Sequence, residues 1–153
     1  MTTTESEITV MREISVPEIG DIAILALVQH ALDEEAATGV WSVTVVLTTD
    51  ARIQALHRDF MGLDSPTDIM TFPYQHDDLQ MDGAVAEGGD IVISVERAAI
   101  NAEDEGWEMR DEIEFLVCHG VLHLVGWDDG NPELRDAMLR RQHDILAAFH
   151  VCN

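Results

Sequence analysis

The stretch HGVLHLVGWDDG, residues His119 to Gly130, holds the side chains best suited to chemistry. His119 and His123 stand four positions apart in an apolar run, and residues at i and i+4 lie on one face of a helix. Two imidazoles on one face can bind the same metal ion, whereas burying both without a partner would cost free energy. A lone histidine is more often a core residue, but the pair predicts a metal site.

Asp129 is the predicted third ligand. Gly126 is expected to end the helix in a left-handed turn, after which the chain reverses toward the histidines. Aspartates are also ordinary turn residues, so a simple turn role for Asp128 and Asp129 stays open. Two imidazoles and one carboxylate leave a fourth position free, as in catalytic zinc sites. We expect one Zn²⁺ per chain, with another divalent transition metal as the alternative.

Gly120 decides which chemistry is disfavoured. Zinc peptidases of the H-E-x-x-H type place a glutamate beside the first histidine as general base. Glycine can neither accept nor give a proton there, so a peptidase of that class is disfavoured.

Hydrophobic periodicity predicts the elements that position these residues. The longest strongly apolar helix, over Arg110 to Val125, carries the histidine pair. The order of elements is roughly β-α-β-α-β-β-α-α-α. This predicts an α+β fold, with one small mixed sheet of about four strands and five or so helices, in a single domain over residues 1–153. The metal site should lie in a cleft at the long central helix.

Local signals predict where the other elements begin, end and face. The predicted strands are Glu7 to Ile14, Val43 to Thr49, Asp68 to Phe72 and Asp90 to Ser94. Ser15 to Pro17 should open the first helix. Thr49 or Asp50 should cap the second helix, and Gly62 should end it. Ser94 should cap the third helix, and Asn131 should cap the last. Phe60 and Leu134 are expected to face the core.

The charge balance is extreme, with 30 acidic and 8 basic residues and a formal net charge of −22. Every basic residue is arginine. Such a surface repels polyanions at long range. Nucleic-acid affinity normally depends on cations that contact phosphate, and this chain has few of them. No apolar stretch reaches the roughly 20 residues that span a bilayer, and the N-terminus lacks the features of a signal peptide. We therefore expect a cytoplasmic protein without a membrane partner.

Three segments together resemble the YbeY family of bacterial ribosomal-RNA maturation endoribonucleases. HGVLHLVGWDD resembles the family signature H-G-x-L-H-L-x-G-W-D. SPTDIMTFP, Ser65 to Pro73, resembles the P-T-D-V-L-S-F-P strand, and GGDIVIS, Gly88 to Ser94, resembles the L-G-D-I-x-I-S strand. From about Val43 onward the chain follows the family pattern.

This resemblance implies a zinc-like metal and cleavage of single-stranded RNA. It also implies a role in small-subunit (16S) rRNA maturation and ribosome quality control, with the small ribosomal subunit or its proteins as partners and no DNA. The metal would polarise a phosphoryl oxygen or activate a water. The resemblance places Asp90 and Thr67 at the border of the cleft. From its residue type, Asp90 could be the acceptor that orients a ligand imidazole, or simply a turn residue.

The sequence departs from the family pattern at two functional positions. Asp129 stands where the third ligand is usually histidine, and this anionic ligand should favour harder ions. Met61 stands where the family typically has a functional arginine, and methionine cannot bind phosphate. Arg58, one helical turn earlier, is the candidate replacement and equally fits an ordinary surface arginine. His57 stands where asparagine is often found.

Two other functions stay open at this point. One is a metallohydrolase acting on another class of substrate. The other is a non-catalytic ribosome-assembly factor with a structural metal, which the net charge and Met61 favour.

Overall fold

The computed structural model describes residues 4–74, 80–81, 84–85 and 87–152. Half of the polar segment Pro73 to Gly88, which its composition predicts as a mobile loop, lies outside these residues, and its described half includes two short strands. The elements in chain order are β1 (Thr4–Arg12), α1 (Asp21–Glu34), β2 (Gly39–Thr48), α2 (Asp50–Met61), β3 (Ile69–Pro73), β4 (Gln80–Met81), β5 (Ala84–Val85), β6 (Glu87–Ser94), α3 (Val95–Glu105), α4 (Met109–Leu124) and α5 (Pro132–Cys152).

Four strands form a mixed sheet in the order β1-β2-β6-β3. β1 pairs parallel with β2, β2 pairs parallel with β6, and β3 runs antiparallel to β6 at the opposite edge. β4 and β5 form a separate two-stranded pair. The predicted α+β fold with one small mixed sheet and five helices is confirmed.

The two faces of the sheet bury different sets of side chains. One face packs against α1, α3 and α4, with α5 packed on α1 and α4, and supplies Val43, Val45, Ile91 and Ile93 to the main core. On the other face, Ile53 of α2 packs in a smaller cluster with residues of β3 and β6. Because side chains alternate along a strand, neighbouring residues of β6 point to α4 and to α2 in turn.

Helix ends follow the local signals closely. The Thr49 side chain caps α2 by accepting from the backbone N–H of Arg52, and Gly62 ends that helix in the left-handed region at φ +72°. Ser94 caps α3 in the same way, and the Asn131 side chain accepts from the N–H of Leu134 at the start of α5. These predicted caps are confirmed because capping depends only on neighbours in sequence.

Three local predictions are wrong. Ser15 to Pro17 do not open the first helix, which begins at Asp21 after Gly20. Val16 is instead buried in the main core as part of the connection from β1. Phe60 and Leu134 are exposed rather than inward-facing, because the buried part of α2 ends with Ile53 and Leu56 and the core face of α5 begins at Met138.

Cys118 lies fully buried in α4, as its apolar surroundings predict. Burial raises the pKa of its thiol to about 12, with the Glu35 carboxylate adding to this effect. The thiol is therefore held in its protonated, unreactive form at neutral pH. None of the helices in the described part of the chain combines the length and apolar character that a bilayer crossing requires.

Candidate metal centre

The last two turns of α4 and the turn that follows bring three side chains together. His119 and His123 lie one turn apart on the helix, and Gly126 follows its end at φ +114°, where a residue with a side chain would be strained. The backbone N–H of Trp127 donates to Leu122, which closes the turn at 2.9 Å. This reversal returns Asp129 to the face that holds the two histidines.

The three ligand atoms form a nearly equilateral triangle. The two histidine Nε2 atoms are 3.0 Å apart. Asp129 Oδ2 lies 3.5 Å from His119 Nε2 and 3.4 Å from His123 Nε2. Ligands bound to zinc in a tetrahedron at roughly 2.0–2.1 Å are about 3.3 Å apart. The triangle therefore has the dimensions of one face of a zinc coordination shell.

Hydrogen bonds on the far side of each imidazole fix its tautomer. His119 Nδ1 lies 3.0 Å from Oε1 of Gln142, whose Nε2 donates to the carbonyl oxygen of Phe115 at 3.4 Å. His123 Nδ1 lies 3.0 Å from the carbonyl oxygen of Trp127. Both partners are acceptors, so each Nδ1 carries the proton and each Nε2 presents a lone pair.

Three acceptor atoms thus face one another at close range. Two Nε2 lone pairs and a carboxylate oxygen repel one another, and a cation between them removes that repulsion. Hydrogen-bonded orientation of the ligand imidazoles is typical of metal centres. Their side chains are only 20% and 23% exposed, whereas that of Asp129 is 38% exposed. A metal fits these residues and would keep one side open to solvent.

The surroundings keep His119 in the neutral form that binds metal. Burial lowers the pKa of His119, and the neighbouring His123 acts in the same direction. The hydrogen bond to Gln142 and the charges of Asp129 and Asp68 raise that pKa and oppose the effect. Asp68, the residue just before β3, therefore acts on His119 through its charge.

Packing against β6 explains why position 120 is a glycine. A Cβ at this position would lie 2.7 Å from Cγ2 of Ile91, because α4 crosses β6 closely here. Glutamate in this place would need both space and access to the metal ligands, and the contact with β6 offers no such space. The general base of the H-E-x-x-H peptidases is excluded on both grounds.

The two adjacent aspartates separate in the structure. Asp128 is exposed, and its Oδ1 accepts from the backbone N–H of Gly130 at 3.0 Å, which is turn chemistry. Asp129 alone reaches the histidines. Thr67 lies half-buried in the loop that enters β3, beside Asp68, whose Oδ2 accepts from Asn101 at 3.1 Å.

Asp90 lies away from the metal centre. It pairs with Thr44 and Phe72 within the sheet, on the face opposite Ile91, and its Oδ1 accepts from the hydroxyl of Tyr74 at 3.1 Å. Ile91 packs toward α4, so its neighbour Asp90 points to the α2 side. The acceptors for the ligand imidazoles are Gln142 and the Trp127 carbonyl, and Asp90 does not have the orienting role considered for it.

Arg58 and Met61 are surface residues of α2. The Arg58 guanidinium pairs with Asp59 at 3.2 Å, and Met61 is 62% exposed. His57 Nδ1 lies 2.9 Å from the carbonyl oxygen of Ser65 and ties α2 to the loop before β3. In the described part of the chain, no hydrogen bond or ion pair joins Arg58 to the three metal-facing side chains. A catalytic role for Arg58 stays a prediction.

Four contributors to the site were missed by sequence reasoning. Gln142 and Trp127 orient the imidazoles, Glu35 binds the indole of Trp127, and Asp68 contributes charge. Asp68 stands within the SPTDIMTFP segment and could have been found there. Gln142 and Glu35 carry no motif, since their roles depend on how α5 and α1 pack against α4.

Comparison with known proteins agrees with this architecture. The family model described as Endoribonuclease YbeY matches residues 6–150. The chain belongs to the YbeY family. Endoribonuclease YbeY of Symbiobacterium thermophilum is 42% identical over 71% of this chain and 71% of its own length. The Exiguobacterium YbeY is 36% identical over 82% and 84% of the two chains, and that of Lachnoclostridium phytofermentans is 30% identical over 86% and 88%.

A solved structure shares the fold of this YbeY family member. The solution structure of TM1509 from Thermotoga maritima superposes with a TM-score of 0.60, at 22% identity, over 95% of this chain and 93% of that one. The likeness supports the arrangement of the sheet and helices.

Proposed function

We propose that this chain is a metal-dependent endoribonuclease that cleaves single-stranded RNA in the cytoplasm during small-subunit rRNA maturation. The observation that carries the proposal is the triangle formed by Nε2 of His119, Nε2 of His123 and Oδ2 of Asp129. It stands in a family described by its endoribonuclease activity. The Asp129 side chain is 38% exposed, so the triangle can be reached from solvent, as an enzyme acting on a polymer requires.

His119, His123 and Asp129 would hold one ion, for which zinc is our first expectation. A bound zinc ion supplies a Lewis acid for a phosphoryl oxygen and lowers the pKa of water. Gln142 and the Trp127 carbonyl keep the two Nδ1 protons on the outer side of the rings, so that both Nε2 atoms stay free for the metal. Asp129 contributes one negative charge, which favours a harder ion than three histidines would.

The chain offers few cationic side chains for binding the phosphates of an RNA substrate. Five of the eight arginines lie in ion pairs with carboxylates of the described chain: Arg12, Arg58, Arg97, Arg110 and Arg141. Each phosphate contact normally needs a positive side chain. We therefore propose that contacts with the small ribosomal subunit or its proteins deliver the enzyme to its RNA.

The same scarcity of cations favours one alternative, a non-catalytic ribosome-assembly factor whose metal is structural. The exposed Met61 adds to this alternative, because methionine offers nothing to a phosphate or a developing anion. The solvent-facing side of the ligand triangle speaks for catalysis, since structural zinc sites are closed by four protein ligands.

Cleavage of defined substrates tests the proposal. Zinc-loaded protein would be incubated with a single-stranded RNA, the same sequence as a duplex, and casein. We expect cleavage of the single strand only, and none by His119→Ala. A protein that holds its metal but cleaves none of the three would support the assembly-factor alternative. Cleavage of casein would point to another hydrolase class.

A further inference from the structure

We propose, resting on the metal function above, that Glu35 is a positioning residue of the metal centre. Glu35 directly follows the last residue of α1. It touches none of the three metal-facing side chains in the described contacts. Its effect on them passes through Trp127, which it holds in place.

The Glu35 carboxylate binds two partners from separate parts of the chain. Its Oε1 accepts from the indole Nε1 of Trp127 at 2.6 Å, and its Oε2 accepts from Nε of Arg141 at 2.5 Å. Arg141 also donates to the carbonyl oxygen of Glu34 at 2.7 Å. The Glu35 side chain is only 11% exposed, so both bonds form with little competition from water. α1, α5 and the loop after α4 therefore meet at one carboxylate.

Trp127 connects this carboxylate to two of the metal-facing side chains. Its backbone carbonyl oxygen is the acceptor that orients His123, and Asp129 follows two residues later. The carbonyl carbon is bonded to the Trp127 Cα, so an indole held by Glu35 restrains where that Cα, and with it the carbonyl oxygen, can lie. The bond to Glu35 thus helps to keep the acceptor in place for His123 and restrains the start of the turn that leads to Asp129.

α5 supports the other imidazole with the adjacent residue. Gln142, next to Arg141, is fully buried and faces Nδ1 of His119. The two neighbouring residues therefore act on different histidines, Gln142 directly and Arg141 through Glu35 and Trp127. Both imidazoles are held by the packing of helices whose own residues supply no ligand.

Glu35→Gln tests the hydrogen bonds of Glu35 without changing the size of its side chain. Glutamine keeps the size of the side chain, but its single amide oxygen cannot accept well from both Trp127 and Arg141. Trp127→Phe removes the indole donor and leaves the backbone carbonyl and most of the ring in place. Asp50→Asn is the matched control, since Asp50 is a partly buried carboxylate that also pairs with an arginine, Arg97, at 3.2 Å.

The measurements are zinc affinity of metal-stripped full-length protein by competition with a chelator, and the absorption spectrum of the cobalt-substituted form. Loss of an outer partner of a metal ligand typically weakens metal affinity about 10- to 100-fold. We expect Glu35→Gln and Trp127→Phe each to bind zinc about 10-fold more weakly, with an altered cobalt spectrum. The double variant should be no weaker than the weaker single variant, because the two residues act in series.

The outcomes distinguish this role from the metal function itself. Wild type that binds no zinc overturns the metal function and the role of Glu35 with it. Wild type that binds zinc, with Glu35→Gln within about threefold of it, overturns the role of Glu35 alone. Additive losses in the double variant, or an equal loss in Asp50→Asn, also overturn it. If Glu35→Gln does not fold, unchanged zinc affinity in Trp127→Phe is the overturning result.

Discussion

Asp128 and Asp129 have the same side chain, yet the turn after α4 gives them different partners. Asp129→Ala removes one of three ligand atoms and should abolish stoichiometric metal binding. Asp128→Ala loses only the bond to the Gly130 N–H and should keep the metal. Asp129→His should also keep it. Elemental analysis of the three purified variants checks this, and loss of metal in Asp128→Ala alone would reverse the ligand assignment.

Met61 is the residue at which RNA binding can be tested. It is exposed at the end of α2, so arginine fits there without repacking. Met61→Arg should strengthen binding to single-stranded RNA and steepen its salt dependence by about one phosphate contact, a slope change of roughly 0.7. Binding would be measured at several salt concentrations, with Arg58→Ala for comparison. No change in Met61→Arg, together with lost binding in Arg58→Ala, would assign the phosphate contact to Arg58.

The two metal-facing histidines show how much sequence spacing can predict. The separation of His119 and His123 on one helix is fixed by α-helical geometry, and the turn at Gly126 by the conformational freedom of glycine. Both are local, so they could be predicted. Gln142 lies 23 positions from His119, and only the packing of α5 on α4 brings them together.

At the level of elements, α5 contacts the candidate metal centre through Gln142, which faces His119 Nδ1. Gln142→Leu removes the acceptor for His119 Nδ1 and should weaken zinc affinity about 10- to 100-fold. Gln142→Glu retains an acceptor for His119 Nδ1 but loses the bond to the Phe115 carbonyl, so it should lose less zinc affinity than the leucine variant. Calorimetric titration of zinc into the stripped proteins measures both. Equal affinity in the leucine variant would show that the hydrogen bond from His119 to Gln142 is dispensable for metal binding.

The contact between α3 and α4 predicts a pH-dependent stability. Glu112 is buried in α4, and its Oε2 accepts from Asn101, which also donates to Asp68. Burial raises the pKa of Glu112, so the folded state takes up its proton at a higher pH than the unfolded chain. Glu112 therefore destabilises the fold at neutral pH, and this effect fades as pH falls toward 4.5, the ordinary value.

Glu112→Gln isolates this effect from the rest of the acidic surface. The variant should have a higher free energy of unfolding than wild type at pH 7, and the difference should shrink as the pH approaches 4.5. Urea unfolding of both proteins at several pH values measures it. A variant that is less stable than wild type at pH 7 would show that the hydrogen bonds of Glu112 outweigh the cost of burying its charge.

Element boundaries were predictable where one short segment decides them. The caps at Thr49, Ser94 and Asn131 are of this kind. The start of α1 was not predictable in this way. Ser15 and Pro17 carry helix-start signals, but Val16 between them is buried in the main core. The pairing of β2 with β6 joins strands about 40 residues apart, and nothing local specifies that neighbour.

At the scale of the whole molecule, the net charge of −22 opposes the compact state through self-repulsion. Added salt screens this repulsion, since the Debye length falls to about 10 Å at 0.1 M. The melting temperature of the metal-free protein should therefore rise as NaCl is added from low ionic strength. Thermal unfolding followed by circular dichroism measures it, and a melting temperature that falls with added salt would contradict the expectation.

The central claim is that one metal ion, held by His119, His123 and Asp129, is required for RNA cleavage. The most direct test measures metal content and cleavage of a single-stranded RNA in the same preparations of wild type and His123→Ala. We expect close to one metal ion per chain and cleavage in wild type, with both lost in the variant. Equal metal in the two proteins, or undiminished cleavage by metal-free His123→Ala, would contradict it.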